Sequence, residues 1–273
     1  MTTPQETPNS LAISPSQGLA AMREGRPLVH CITNYVAMNY AANVLLAAGA
    51  SPAMIHTVEE TADFAPICAA LTVNIGTLSP PWVAGMTSAI KAATAAGKPW
   101  VLDPVAHFAT PYRAQTAANL LLLKPTVLRG NASEILAFTG ADSQGQGVDS
   151  GDEVAVAEAG ARSLAQRVGC VVAVTGEVDF VTDGNRAVRI TGGSPHMPNV
   201  TATGCALSAL IGGYLGTSED PLSATTAALV HFAEAGARAH ELAEGPGSFS
   251  WRFLDALAAV EPQDLADSRV RQV

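Results

Sequence analysis

Lysine is scarce in this chain of 273 residues: only Lys91, Lys98 and Lys124 are present, and the formal net charge is −9. Binding a phosphate backbone needs a basic stripe that releases counterions, so no nucleic-acid partner is expected. Cysteine is sparse as well. Cys31, Cys68, Cys170 and Cys205 are far apart, with no C-x-x-C pair and no His/Cys cluster at metal spacing. That usage fits reduced thiols in the cytoplasm rather than a disulfide framework. No uninterrupted apolar run reaches the roughly 18 residues a membrane helix needs, and the opening "MTTPQETPNS" has neither the basic nor the apolar region of a secretion signal. A cytoplasmic protein without a membrane partner is the expectation. The common fingerprints are missing too: no G-x-x-x-x-G-K-[ST], G-x-G-x-x-G, G-x-S-x-G or H-E-x-x-H occurs. A nucleotide, if bound, is held in another way.

What is present is apolar material in a regular order. Nearly half the residues are hydrophobic and 14% are charged, enough apolar mass for a full core without staples. Short β-type runs alternate with Ala/Leu-rich stretches of helical period: strands at 27–33, 51–56, 71–76, 99–104, 126–130 and 170–176, with a helix at 39–49 closed by Gly49. This is the pattern of an α/β protein with a mainly parallel sheet covered on both faces. "VDFVTDGNRAVRI" places two β-type runs around Asp183-Gly184, which predicts an antiparallel hairpin at one sheet edge. Helices are predicted at 203–216, 221–243 and 249–260. Residues 1–20, rich in Pro, Ser and Thr, read as a flexible extension before a single domain over 21–273. "ADSQGQGVDSGD" (141–152) reads as a solvated loop, because its glycines follow a helix rather than a strand.

In an open α/β sheet the ligand site lies beyond the carboxyl ends of the strands. Those ends carry Asn34, Met54 to His56, Asn74 to Thr77, Asp103 to His107, Arg129 to Glu134, and Thr175 to Asp179. In "TATGCALSALIGGYLG", Gly204 lets unpaired amides at a helix start point outward, where the dipole adds about half a positive charge. An ordinary helix start capped by Thr203 explains the same letters. Cys205 stands in that first turn, where a helix N-terminus lowers a thiol pKa, yet a small cysteine packed in a helix is equally ordinary. Asp103 in "VLDPV" is a rigid strand-end carboxylate suited to Mg²⁺, or simply an Asp-Pro turn. Arg129 suits phosphate oxygens. Glu134 suits the water shell of a metal, while Asn131 and Glu134 also have capping-box spacing, and the two roles are compatible. An anion hole, an arginine and two carboxylates at one sheet edge are the parts of Mg-assisted phosphoryl transfer.

Seven stretches in register, "PLVHCITNYVAMNYAANVLLAAGASPAM", "NIGTLSP", "LDPV", "RGNASEI", "VVAVTGEVDFVTDG", "TATGCALSA" and "EGPGSF", together resemble the hydroxyethylthiazole kinases over about residues 27–257. The resemblance implies a ribokinase-like three-layer α/β/α fold. It also implies ATP- and Mg²⁺-dependent phosphorylation of the hydroxyl of 4-methyl-5-(2-hydroxyethyl)thiazole in thiamine salvage, by a homotrimer with sites between subunits. Carried onto this sequence, Met54 lines the thiazole pocket, with Asn34 and Ala202 also assigned to the substrate. Arg129, Thr175 and Gly204 fall to ATP, Asp103 and Glu134 to the metal. Cys205 takes the place where most ribokinase-like kinases carry an aspartate base. Two departures stand out: Ala202 where the family usually has glycine, and "AHF" (106–108) after "LDPV". The competing readings are a related small-alcohol kinase or nucleotide-dependent dehydratase, a cysteine hydrolase with Cys205 as nucleophile, and a non-catalytic regulator.

Overall fold

A computed structural model describes residues 11–140, 150–265 and 269–273. Its centre is a nine-stranded sheet in the order β2-β1-β3-β4-β5-β6-β7-β8-β9. Six strands are parallel: β1 (Leu28–Ile32), β2 (Ser51–Ala53), β3 (Ala70–Asn74), β4 (Trp100–Asp103), β5 (Val127–Asn131) and β6 (Val171–Thr175). Their bounds lie close to the predicted ones, except that the chain leaves β2 at Met54, earlier than expected. β3 and β4 are buried at every position. Covered on both faces, such strands read as continuous apolar runs, which is why the sequence declares them.

Each face of the sheet carries its own core. On one, Leu19, Leu45, Leu210, Tyr214, Phe249 and Phe253 pack with Val29, Val101 and Val188. They come from α1 (Pro15–Gly25), α2 (Met38–Ala48), α8 (Thr203–Leu215) and α10 (Pro246–Ala259), and α9 (Pro221–Leu242) adds Leu229 and Phe232. On the other, Trp82, Met86, Ile90, Leu120, Ile135 and Leu164 pack on Leu71, Leu102 and Leu128. These belong to α4 (Pro80–Ala95), α5 (Pro111–Leu121), α6 (Ala132–Ala137) and α7 (Ser150–Val168), with the short α3 (Val58–Phe64) alongside. Alternate residues of one strand feed opposite cores, as the pleat requires. None of the helices described is long and apolar enough to cross a membrane.

Three features differ from expectation. Ordered chain begins before residue 21, because Ser14 and Gln17 form a complete capping box for α1 and Leu19 and Met22 are buried beneath it. Residues 1–10 lie outside the described residues. The hairpin of β7 (Val178–Thr182) and β8 (Ala187–Thr191) forms as predicted, but it is not the sheet edge. The edge belongs to β9 (Val270–Gln272), antiparallel to β8, and its pairing spans some eighty residues of sequence that no local pattern announces. Of the stretch read as a loop, 141–149 lies outside the described residues and Ser150 already opens α7.

Candidate active site

Parallel register brings the strand ends into one row. Asn74 is opposite Asp103 across β3 and β4, and Asn131 is opposite Thr175 across β5 and β6. From the other side the row is met by the first turn of α8. Ala202 is the N-cap of that helix at φ 67°, without a side-chain cap, in the left-handed conformation that costs a residue bearing Cβ of the order of 1 kcal/mol. This conformation explains why glycine suits the position, and alanine adopts it here at that cost. Thr203 is therefore the first helical residue and not the cap; its hydroxyl donates back to the Val200 carbonyl at 2.6 Å. Among the described residues the Gly204 and Cys205 amides make no backbone hydrogen bond, while the Ala206 amide begins the helical ladder on Ala202. Two amides are thus free for an anion.

Gly204 has a second reason to lack a side chain. A Cβ there would come within 2.8 Å of Arg129 Nη1, so glycine lets the guanidinium lie against the helix start. Arg129 donates to Thr175 Oγ1 at 2.5 Å and approaches Asp103 Oδ2 at 3.8 Å. Its Nε is buried with no partner. Asp103 is 1% exposed; its Oδ2 accepts from Asn74 Nδ2 at 2.8 Å and from Ser208 Oγ at 2.7 Å, while Oδ1 is buried and unpartnered. Burial pushes the Asp103 carboxyl up to about 6, against the pull of Arg129 and Ser208.

Cys205 corrects a sequence expectation. The helix start was expected to depress the thiol, but burial and the Asp103 charge push it up to about 11, outweighing the Asn34 and Asn74 amides and Arg129. Its sulfur accepts from Asn34 Nδ2 at 3.4 Å. A cysteine nucleophile needs a basic imidazole, and no histidine bonds Cys205 among the described residues.

Glu134 closes the capping box of α6: Oε2 accepts the Asn131 amide and Oε1 the Ala106 amide, both at 2.8 Å. His107, in the departing "AHF" stretch, donates its Nε2–H to the Glu134 carbonyl and stacks on Phe138 with centroids 4.0 Å apart. It anchors the loop instead of lining a cavity. Arg113, which no motif singled out, fixes the same loops by donating to the carbonyls of Ile75, Gly76, Val105 and Ala106.

Beside this row opens a cavity of about 750 Å³. Its lining combines polar Arg129 and Thr175 with Gly204, the Gly192-Gly193 turn and apolar Leu207, Leu229 and Phe232. The apolar lining and the glycine turn escaped sequence reasoning, since α9 residues look like core until the turn is placed against them. Met54 follows β2 and packs on the core of the α8 face, with no bond to the other candidates.

A family model for the hydroxyethylthiazole kinases matches residues 19–263. The chain is 64% identical to a hydroxyethylthiazole kinase of Rhizobium johnstonii, over 94% of this chain and 97% of the other. It is 61% identical to one of Gemmatimonas aurantiaca, over 94% and 93%. The chain belongs to the hydroxyethylthiazole kinase family. The solved hydroxyethylthiazole kinase of Pyrococcus horikoshii superimposes with a TM-score of 0.87 at 39% identity, over 95% of this chain and 98% of that one. A Bacillus subtilis pyridoxal kinase, at 19% identity and TM-score 0.57 over 76% and 90%, shares the fold alone, which is ribokinase-like. Hydroxyethylthiazole kinases thus supply the frame for the residues gathered at this sheet edge.

Proposed function

We propose that this protein transfers the γ-phosphoryl group of ATP to the hydroxyl of 4-methyl-5-(2-hydroxyethyl)thiazole, as a single-domain cytoplasmic enzyme of thiamine salvage. The observation that carries the reading is the meeting of free α8 amides with Arg129 and the under-bonded Asp103 at one point of the sheet edge. Membership of the family supplies the substrate pair.

In phosphoryl transfer the transition state is loose, so the protein contributes mainly alignment and charge neutralisation. Arg129, Thr175 and Gly204 suit the polyphosphate, with the base toward Leu229 and Phe232. The Gly204 and Cys205 amides suit the phosphoryl group in transit. Asn34 and Ala202 lie on the alcohol's side of Cys205, and Met54 is assigned to the ring from the family pattern. With its thiol pushed up to about 11, Cys205 is almost wholly protonated at neutral pH and offers little thiolate. Little thiolate is enough here, because the alcohol becomes acidic as its oxygen bonds to phosphorus and its proton can leave late.

Mg²⁺ is implied by the chemistry. Among the described residues no three His, Cys, Asp or Glu side chains converge on a point. The orphaned Asp103 Oδ1 nonetheless fits a hard cation that keeps several waters and leans on substrate phosphates. When bound, Mg²⁺ supplies charge that offsets the phosphates. Asp103 would hold it, and Glu134, both of whose oxygens already accept amides, would reach it only through water. Exposed Tyr35, Val36, Val58 and Ile67, the first two beside Asn34, suit the interface of a homotrimer.

Incubation of the pure protein with ATP, Mg²⁺ and a panel of thiamine-precursor alcohols tests the proposal. Phosphate ester formed from the thiazole alcohol, and from no pyrimidine alcohol, is the expected result; ATP consumed only with another alcohol overturns it.

A further inference from the structure

Between the thiol and the carboxylate runs a chain of side chains whose polarity is fully determined. Asn34 Oδ1 accepts the Val36 and Ala37 amides at 3.1 and 3.0 Å, so its Nδ2 must face inward. There Nδ2 donates one hydrogen to Asn74 Oδ1 at 2.8 Å and the other to Cys205 Sγ at 3.4 Å. Asn74 Oδ1 also takes the Gly76 amide at 2.9 Å, which turns its own Nδ2 toward Asp103 Oδ2 at 2.8 Å. Neither amide can flip without stranding backbone donors. Gly76 adds a steric limit: a Cβ there would come within 2.5 Å of Asn34 Nδ2. Ser208, one turn along α8 from Cys205, supplies the second donor to the same Asp103 oxygen at 2.7 Å.

Both donors to Asp103 fall on Oδ2 and leave Oδ1 bare. Oδ1 is therefore the carboxylate oxygen whose lone pairs remain unused. We infer that Asn74, assisted by Ser208, is a positioning residue that holds the Asp103 carboxylate in one rotamer and, by taking one hydrogen of Asn34 Nδ2, keeps the other on the Cys205 sulfur. The inference rests on the kinase reading above. Asn74 touches neither substrate and acts only through the two groups it orients. A buried amide of this kind is worth more as a network than as separate bonds, so its removal is felt at both ends.

The substitution Asn74→Leu keeps the volume and deletes both arms. It is expected to lower kcat by roughly 10- to 100-fold, with KM for ATP and for the alcohol within about twofold. In a Cys205→Ala background the same substitution is expected to cost distinctly less, since one of its targets is gone. A readout without substrate accompanies these: iodoacetamide labelling of Cys205, followed by mass spectrometry of its peptide in metal-free and nucleotide-free protein. Labelling is expected to slow by roughly threefold or more in Asn74→Leu, because the sulfur loses its aligned donor. Ser208→Ala, which deletes one hydroxyl and so guards against misfolding of the first variant, is expected to lower kcat roughly fivefold with KM and labelling unchanged. An equal loss from Asn74→Leu in both backgrounds, unchanged labelling, or a folded Ser208→Ala enzyme with full kcat overturns the inference. If the wild-type protein phosphorylates no thiazole alcohol, the kinase reading fails by itself, while labelling still decides the arm to Cys205.

Discussion

Two partly buried arginines of this protein receive opposite treatment. Arg186, at the β7–β8 turn, is saturated: it donates to Asp183 Oδ2 at 2.8 Å and forks onto Asp220 at 2.7 and 3.2 Å. Arg129 has a threonine hydroxyl, a carboxylate at 3.8 Å and an unpartnered Nε. The same contrast divides the buried acids and imidazoles. His231, inside the helical layer, has Nδ1 on Tyr214 Oη at 2.9 Å and Nε2 on the Leu257 carbonyl at 3.0 Å, whereas Asp103 at the end of β4 has one bare oxygen. His231 is satisfied at both ring nitrogens, whereas Asp103 and Arg129 at the strand ends each keep an unpartnered atom that a ligand can complete. Such under-satisfaction is a cost to stability that marks function.

The contrast can be broken from either side. The largest effect is expected in the satisfied layer. Burial holds the His231 imidazole down to about 4 against an ordinary 6.5, so the neutral ring stabilises the fold fully above pH 6.5. That contribution is lost as pH falls through 4, a change of about 3 kcal/mol for a shift of this size. Urea unfolding at pH 7 and pH 4 is expected to show the loss. His231→Phe is expected to be less stable at neutral pH and to have a flatter pH dependence.

Next in size is Arg129→Ala. Deleting a charge-assisted phosphate contact of about 2 kcal/mol is expected to reduce kcat/KM for ATP by about 30-fold. The melting temperature is expected to change little, because this arginine is under-bonded in the fold; the equivalent Arg186→Ala is expected to destabilise without touching ATP kinetics. Ala202→Gly relieves the positive φ and is expected to stabilise by about 1 kcal/mol, read by thermal melting. The smallest change is expected from Cys205→Asp. A carboxylate ionises far below a thiol pushed up to about 11, so steady-state turnover is expected to persist or rise; a folded but inactive variant removes Cys205 from the proton's path.

The parallel half of the fold was legible because strands such as "WVLDP" are buried on both faces and punctuated by Pro or Gly. Asp103, Arg129, Thr175 and Gly204 were legible for the related reason that strand ends and a helix start are locally marked. What lies between them was not. Ser208 reads as one more small residue in an apolar helix, and only the packing of α8 on β4 makes it a donor to a carboxylate 105 residues away. The Cys205 thiol was misjudged because the sequence displays the helix start but hides the burial that outweighs it. β9 stayed invisible because "VRQV" gains strand character only from pairing with β8.

The central claim is that Asp103 is kept charged and half-bonded for the reaction at the expense of the fold, and Asp103→Asn tests it when stability and turnover are measured on one preparation. Burial raises this carboxyl from 3.8 to about 6, so its stabilising contribution is complete below pH 3.8 and lost as pH rises through 6. At pH 7 the neutral amide is expected to gain roughly 2–3 kcal/mol in urea unfolding and to lose turnover by roughly a thousandfold or more. An Asp103→Asn protein that is less stable than the wild type at pH 7, or that keeps its turnover, contradicts the account.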